Sequence, residues 1–312
     1  MLSRIIDSLR DAKEFFKKQP LLCALLINVV AFFISISVFD VKYETIDDFM
    51  TDAVLSGAYG NGYDPNLLWG NVILGSVLVL LYKLVPNISF YFVLLMVLGF
   101  AALTSIVYVL FKKQLNITTI VMAVLFLLFF VDDIYVLVQF TKISTASGIA
   151  GGLLVLFGLW EANDHRLRMI VSGIILTVVG SMVRFDGIYL YGPFLLFVFL
   201  SYSLLYLSKD EKIDIAKLRI IGRNLLICVC LVALLFGLSR LGSIISNSDE
   251  AHMEFNVYHG IRFPITDVMS PSYEYIRECY SELGLDETDW EMINHWGFVD
   301  RGIYDDDLLR NV

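Results

Sequence analysis

Charge is scarce in this sequence: 18% of its 312 residues are Asp, Glu, Lys or Arg, against 57% hydrophobic and 14% aromatic. That balance excludes a water-soluble globule, because so much apolar surface has to face lipid. Cysteine is sparse too. Cys23, Cys228 and Cys230 lie inside apolar runs, which leaves Cys279 as the single thiol in a water-facing segment, and one thiol closes no intramolecular disulfide. Zinc-ligand spacing is missing among His252, His259 and His295. So are internal repeats and low-complexity linkers. Gly57, Gly60 and Gly62, with Tyr59, Tyr63 and Pro65, make a turn-rich connector; no strand-to-helix context surrounds them, which excludes a phosphate loop.

Long apolar runs are what the sequence has in abundance. A helix crosses roughly 30 Å of hydrocarbon with about 20 such residues. Runs at Pro20 to Val38, Ile88 to Phe111, Ile117 to Val131, Ile143 to Trp160, Leu167 to Val183, Ile188 to Leu207 and Ile220 to Leu241 predict seven spans. An eighth, Leu67 to Val85, is ambiguous. The stretch from Met1 to Lys18 is basic and amphipathic, and the apolar run after it outlasts a signal-peptide core, which reads as a retained signal anchor. The expected fold is an all-α polytopic membrane protein of about seven transmembrane helices, with outer-face juxtamembrane helices and a small helical extracytoplasmic tail.

Charge decides the ambiguous run. If Leu67 to Val85 crosses, Lys112, Lys113, Arg166 and Arg168 fall outside and Asp132-Asp133 inside, against the preference of basic residues for the cytoplasm. If it lies along the outer surface, the cytoplasmic side, including Lys209 and Lys212, holds 14 basic and 8 acidic residues, and the outer side 9 and 24. The formal charges are then +6 inside and −15 outside. This arrangement divides the chain into a cytoplasmic N-terminus (1–19), a transmembrane domain (20–244) with a first outer loop at 39–87, and an extracytoplasmic segment (245–312). In that segment Asp286 is placed to cap a helix from Glu287 to Trp296. Its end at Leu309-Arg310-Asn311-Val312 carries no stop to the fold, so a longer protein is expected.

The sharpest local feature is Tyr43-Glu44-Thr45-Ile46-Asp47-Asp48-Phe49-Met50. Ile46, Phe49, Met50, Ala53 and Val54 recur at helical spacing, so the segment is expected on the membrane surface, apolar side down and carboxylates facing water. Paired acids there could supply a general base, since one carboxylate raises the pKa of another. Equally, Thr45 and Asp48 have the spacing of a capping box. Arg184, in Arg184-Phe185-Asp186-Gly187, falls at or just below the outer interface, where it needs an anionic ligand, a pair with Asp186, or a snorkelling path to water. Lys142 sits at the same level, as ligand or interfacial anchor. Asp132 and Asp133 follow a span directly; they mark the water boundary or serve catalysis or a metal.

The arrangement resembles the GT-C superfamily of membrane glycosyltransferases. The resembling elements are Asp47-Asp48 in the first outer loop, the Leu- and Trp-rich run Leu67 to Val85, Pro86-Asn87-Ile88-Ser89-Phe90-Tyr91 opening the next span, and Lys112-Lys113 closing it. More narrowly, Asp47-Asp48-Phe49-Met50 with Leu55-Ser56-Gly57-Ala58-Tyr59-Gly60 is similar to uncharacterised Gram-positive membrane proteins grouped with glucosyltransferases for surface polysaccharides. Phe255-Asn256, Arg262, Leu283-Gly284-Leu285, Asp289-Trp290 and Trp296-Gly297-Phe298 extend that likeness into the tail. The resemblance implies transfer of a sugar from a polyprenyl-phosphate donor to a glycan or lipid acceptor in the cell membrane. It implies Asp47 or Asp48 at the reaction centre and Lys142 and Arg184 on the donor phosphate, with Tyr43, Asp132, Asp133 and Asp186 as further candidates. No cofactor is assigned, a divalent-metal requirement stays open, and nucleic acid is not an expected partner. The competing expectation is a transporter or flippase for a lipid-linked or anionic solute. A non-catalytic scaffold, its acidic tail binding a partner, is a third.

Overall fold

The computed structural model describes residues 18–60, 62–67, 69–161, 166–208, 214–269, 271–297 and 302–311. The amphipathic stretch as far as Lys17, and Lys209, Lys212, Phe298 and Val312, lie outside the described residues. Contacts divide the chain into two compact units, Met1–Ser243 and Ile244–Val312. Among the described residues, the regular structure of the first is helical apart from one pair of two-residue strands.

In chain order it contains α1 (Pro20–Val38), β1 (Lys42–Tyr43), α2 (Ile46–Leu55), α3 (Val72–Leu84), α4 (Phe90–Lys113) and α5 (Ile117–Val131), the last continued by a π-turn at Asp132–Val136. Then come β2 (Leu137–Val138), α6 (Phe140–Trp160), α7 (Arg166–Val183), α8 (Gly187–Leu207) and α9 (Ile215–Ser246). Seven of these helices, α1, α4, α5 together with its π-turn, and α6 to α9, are long and apolar enough to cross a membrane. The chain is thus a helical, multi-pass protein with the seven spans its apolar runs predict.

The eighth run forms α3, which is shorter than the seven candidate spans. Its 13 residues make about 20 Å of helix, short of the roughly 30 Å needed. Both of its ends are fastened to one end of the bundle. At one end the Asn71 N–H donates to Met182 O (2.8 Å), a residue before α7 stops; at the other, the Tyr91 N–H at the start of α4 donates to the Tyr82 hydroxyl (2.9 Å). Helix α3 therefore lies along one face, termed here the loop face. Lys112 and Glu161, paired at 3.8 Å, mark the opposite end.

Two kinds of contact hold the spans together. Asn28, fully buried on α1, donates to Thr104 Oγ1 (2.8 Å) and Phe100 O (3.1 Å) and accepts from Tyr135 OH (2.8 Å), joining α1, α4 and the π-turn. Such polar bonds contribute about 0.6–2 kcal/mol each in lipid. Between α6 and α7 the backbones themselves touch: a Cβ on Gly151 would lie 2.6 Å from Gly173 O. Only glycine allows that approach.

The second unit packs α10 (Glu250–Phe263), α11 (Tyr273–Glu282), α12 (Glu287–Asn294) and α13 (Asp306–Asn311) around Tyr258, Tyr280, Ile293 and Leu309. Asp286 caps α12 as expected, accepting from Thr288 N–H at 2.7 Å, although the helix stops at Asn294.

Candidate functional site

The site begins with a clamp. Lys42 pairs with Leu137 and Tyr43 with Val138 in parallel register, and the Glu44 N–H donates to Val138 O at 3.0 Å. This pairing sets α2 beside the start of α6.

Asp48 occupies the junction. Its Oδ1 accepts the N–H of Phe140, the first residue of α6, at 3.1 Å and the Tyr91 hydroxyl at 3.1 Å, while Oδ2 accepts Thr45 Oγ1 at 2.9 Å. Placement at a helix N-terminus suits a negative group. The expectation that this carboxylate faces water is corrected: Asp48 is 0% exposed. The amphipathic helix docks against α4 and α6, so its polar face finds protein donors. Thr45 makes no backbone cap; its hydroxyl goes to Asp48 instead. Burial pushes the Asp48 carboxyl up to about 6, against the lowering influence of its donors.

One turn further along the same helix face, Asp52 accepts the hydroxyls of Tyr43 (3.0 Å), Ser89 (2.6 Å) and Tyr82. Burial first, with the Asp52 charge adding to it, raises the Tyr43 and Tyr82 hydroxyls well above their ordinary range, so both remain donors. Unlike Asp48, Asp52 meets an open cleft of about 660 Å³, lined with Lys42, Tyr43, Glu44, Ser89 and Phe92. Lys42 is exposed and makes no ion pair among the described residues. Ile46 and Phe49, 74% and 58% exposed, carry the apolar side of the helix.

Asp47, turned about 100° from Asp48, neither lines the cleft nor accepts a described hydrogen bond. Lys142 is bridged by Glu44 (2.8 Å) and Asp133 (2.5 Å), so two carboxylates already match its charge. Arg184 donates to Thr141 Oγ1 (2.7 Å), approaches Asp186 at 3.9 Å and lies over the rings of Phe140 (5.1 Å) and Trp69 (5.2 Å). Those ring faces attract a guanidinium. Asp132 and Asp186 are exposed. Among the described residues, no three His, Cys, Asp or Glu side chains converge as metal ligands.

Three consecutive residues at the start of α6 thus bring the site together, Phe140 holding Asp48, Thr141 holding Arg184, and Lys142 itself, with Tyr43 and Asp133 beside them through the clamp. Sequence reasoning missed Asp52, Tyr82, Ser89, Tyr91 and Lys42. A usable signal existed for one of them, since Asp48 and Asp52 are four residues apart and share a helix face. No protein family, curated protein or solved structure matches the chain, which leaves this geometry to carry the functional reading.

Proposed function

We propose that the chain is a membrane glycosyltransferase of the GT-C type, moving a sugar from a polyprenyl-phosphate donor to a hydroxyl of a cell-surface glycan or lipid, with the loop face outside the cytoplasm. The observation that carries this reading is the open cleft, which Asp52, Lys42, Tyr43 and Phe92 line together. Apolar faces with a few placed polar groups suit a ligand of mixed character such as a sugar ring.

In the proposed reaction the acceptor hydroxyl gives its proton to Asp52 and its oxygen bonds to the anomeric carbon. The bond from that carbon to the phosphate oxygen breaks, and the electron pair leaves on the phosphate. A leaving group that departs as an anion needs a cation more than a proton. Lys42 offers one from the cleft wall, and Arg184 a second at the start of α6. Lys142, held by Glu44 and Asp133, positions the loop, and Asp48 fixes α2 so that Asp52 keeps its place.

Within the spans the buried polar side chains, such as Asn28, Thr104, Ser144 and Thr177, are neutral. A relay for carrying charge across the membrane would use ionisable groups there, so their absence among the described buried residues supports surface chemistry over transport. Full-length protein in liposomes, given a radiolabelled polyprenyl-phosphate sugar, tests the reading. Turnover that disappears in Asp52→Asn is the expected result; donor binding with no product from the unaltered chain would assign it to carriers instead. Labelling of Asp47→Cys but not Lys112→Cys from outside intact cells is the expected orientation.

A further inference from the structure

The second unit holds a cluster of rings of its own, drawn from α10 and from the turn that ends α12. Helix α12 closes with two bonds, from the Trp296 N–H to Ile293 O (3.1 Å) and from the Gly297 N–H to Met292 O (2.6 Å). That pattern is the Schellman cap, in which the residue at the position of Trp296 takes the left-handed conformation and is usually glycine. Trp296 has φ 60°, and among the described residues it is the one non-glycine at positive φ. A bulky side chain is strained there, and such strain persists where neighbours over-determine it, as at ligand clamps. Glycine would serve the turn better, so the indole, not the turn, accounts for this residue.

The neighbours fix how that ring is presented. His259 stacks on it with 5.9 Å between centroids, the Arg262 guanidinium lies 5.4 Å from its centre, and Arg262 Nη2 is 3.4 Å from His259 Nδ1. Groups that close together hold the indole from one side, and 39% of Trp296 stays open to water. Phe255, 38% exposed, extends the surface, its ring parallel to that of His259 within 5° at 5.8 Å. The Trp296 Nε1–H donates to Asp267 Oδ1 (3.1 Å); Asp267 is exposed, and its Oδ2 accepts no described hydrogen bond. An aromatic ring therefore meets solvent with a carboxylate at its edge.

Charge selects the occupant. Residues 245–312 hold 15 acidic and 4 basic side chains, a field that repels phosphate polymers and anionic lipid. An ammonium ligand would meet Arg262, whose charge already lies over the rings of Tyr258 (4.8 Å) and Trp296. A purely apolar ligand would bring nothing to Asp267. A pyranose ring suits both parts: its C–H bonds lie against the negative face of an aromatic ring, and its hydroxyls donate to a carboxylate. We propose that the second unit binds a neutral saccharide, one sugar ring lying on the open side of Trp296 and donating to Asp267. The inference uses residues of this unit alone, so its failure leaves the sugar-transfer reading standing, and the failure of that reading leaves it intact.

The test uses the full-length chain in phosphatidylcholine nanodiscs, with saturation-transfer difference NMR on maltohexaose and cellohexaose as neutral probes and hexagalacturonate as an anionic one. Saturable transfer to at least one neutral probe, and none to the anionic one, is the expected result. Trp296→Gly should weaken that binding about tenfold or more. Its thermal midpoint should stay within about 5 °C of the unaltered chain, since glycine relieves the turn as the packing on His259 is lost. Asp267→Asn keeps an acceptor for the indole Nε1–H and weakens binding about threefold; it carries the test should Trp296→Gly fail to fold. No saturable transfer to either neutral probe, equal transfer to hexagalacturonate, or binding that neither variant weakens would overturn the proposal. A dimer seen by sedimentation in detergent, and dissociated by Trp296→Gly, would assign the surface to a second copy and overturn it equally.

Discussion

Asp48 and Asp52 are the same residue type, one helical turn apart, on the same face of α2, yet they inhabit different surroundings. Asp48 is closed in by Thr45, Tyr91 and the first N–H of α6. Asp52 takes three hydroxyls and still meets the open cleft. The difference lies in what α2 docks against at each level: the start of a span at Asp48, and a gap between the loop and α4 at Asp52. A carboxylate's role here follows from its neighbours, and the adjacent pair Asp47-Asp48 is a poorer guide than the pair one turn apart.

The largest expected effect separates the two acids by activity. Asp52→Asn should lower turnover by about 10²- to 10⁴-fold, as loss of a general base does, while Asp48→Asn stays within about tenfold of the unaltered chain in the same liposome assay. The reverse outcome would exchange their roles. Stability should divide them the other way. Asp48→Ala strands the Tyr91 hydroxyl and the Phe140 N–H in a sealed pocket, costing roughly 2–4 kcal/mol; Asp52→Ala costs less, because its donors Tyr43 and Ser89 reach the cleft. Thermal unfolding in detergent reads both.

Acid should sharpen the contrast further. With its carboxyl raised from 3.8 to about 6 in the folded protein, Asp48 binds a proton more tightly folded than unfolded. Its contribution to stability is full below about pH 4 and is lost as the pH climbs through 6, a change of up to about 3 kcal/mol. Asp48→Asn should flatten that part of the pH–stability profile and Asp52→Asn should not. The smallest effect belongs to Lys142→Met, which leaves Glu44 and Asp133 facing each other without a cation. Partly exposed pairs of this kind are worth about 1 kcal/mol or less, so a slightly lower midpoint with the cleft chemistry intact is expected.

Much of this architecture was legible in the sequence. Apolar runs located all seven spans, with Pro20–Val38 matched at both ends, and the ambiguous run Leu67 to Val85 forms only the 13-residue α3, shorter than any of the seven. Helix ends drifted where the chain stays helical past the hydrocarbon, as in α9, which begins at Ile215 and runs to Ser246. Within the site, local patterning showed that α2 is amphipathic but not what its polar face would meet. The Phe140 N–H that satisfies Asp48 lies 92 residues away, and no local rule reaches that far. Lys142 read as an available cation because Glu44 and Asp133 approach it only once β1 and β2 pair.

That pairing also sets a timetable. During synthesis β1 is complete while α4, α5 and β2 are still to be made, so the first loop leaves the ribosome without its partner strand or the N–H awaited by Asp48. The β1–β2 pairing and the hydrogen bond from Phe140 to Asp48 form only after β2 and the start of α6 have been made. A chain halted before that step lacks these two fastenings, which leaves its first loop more open to proteolysis.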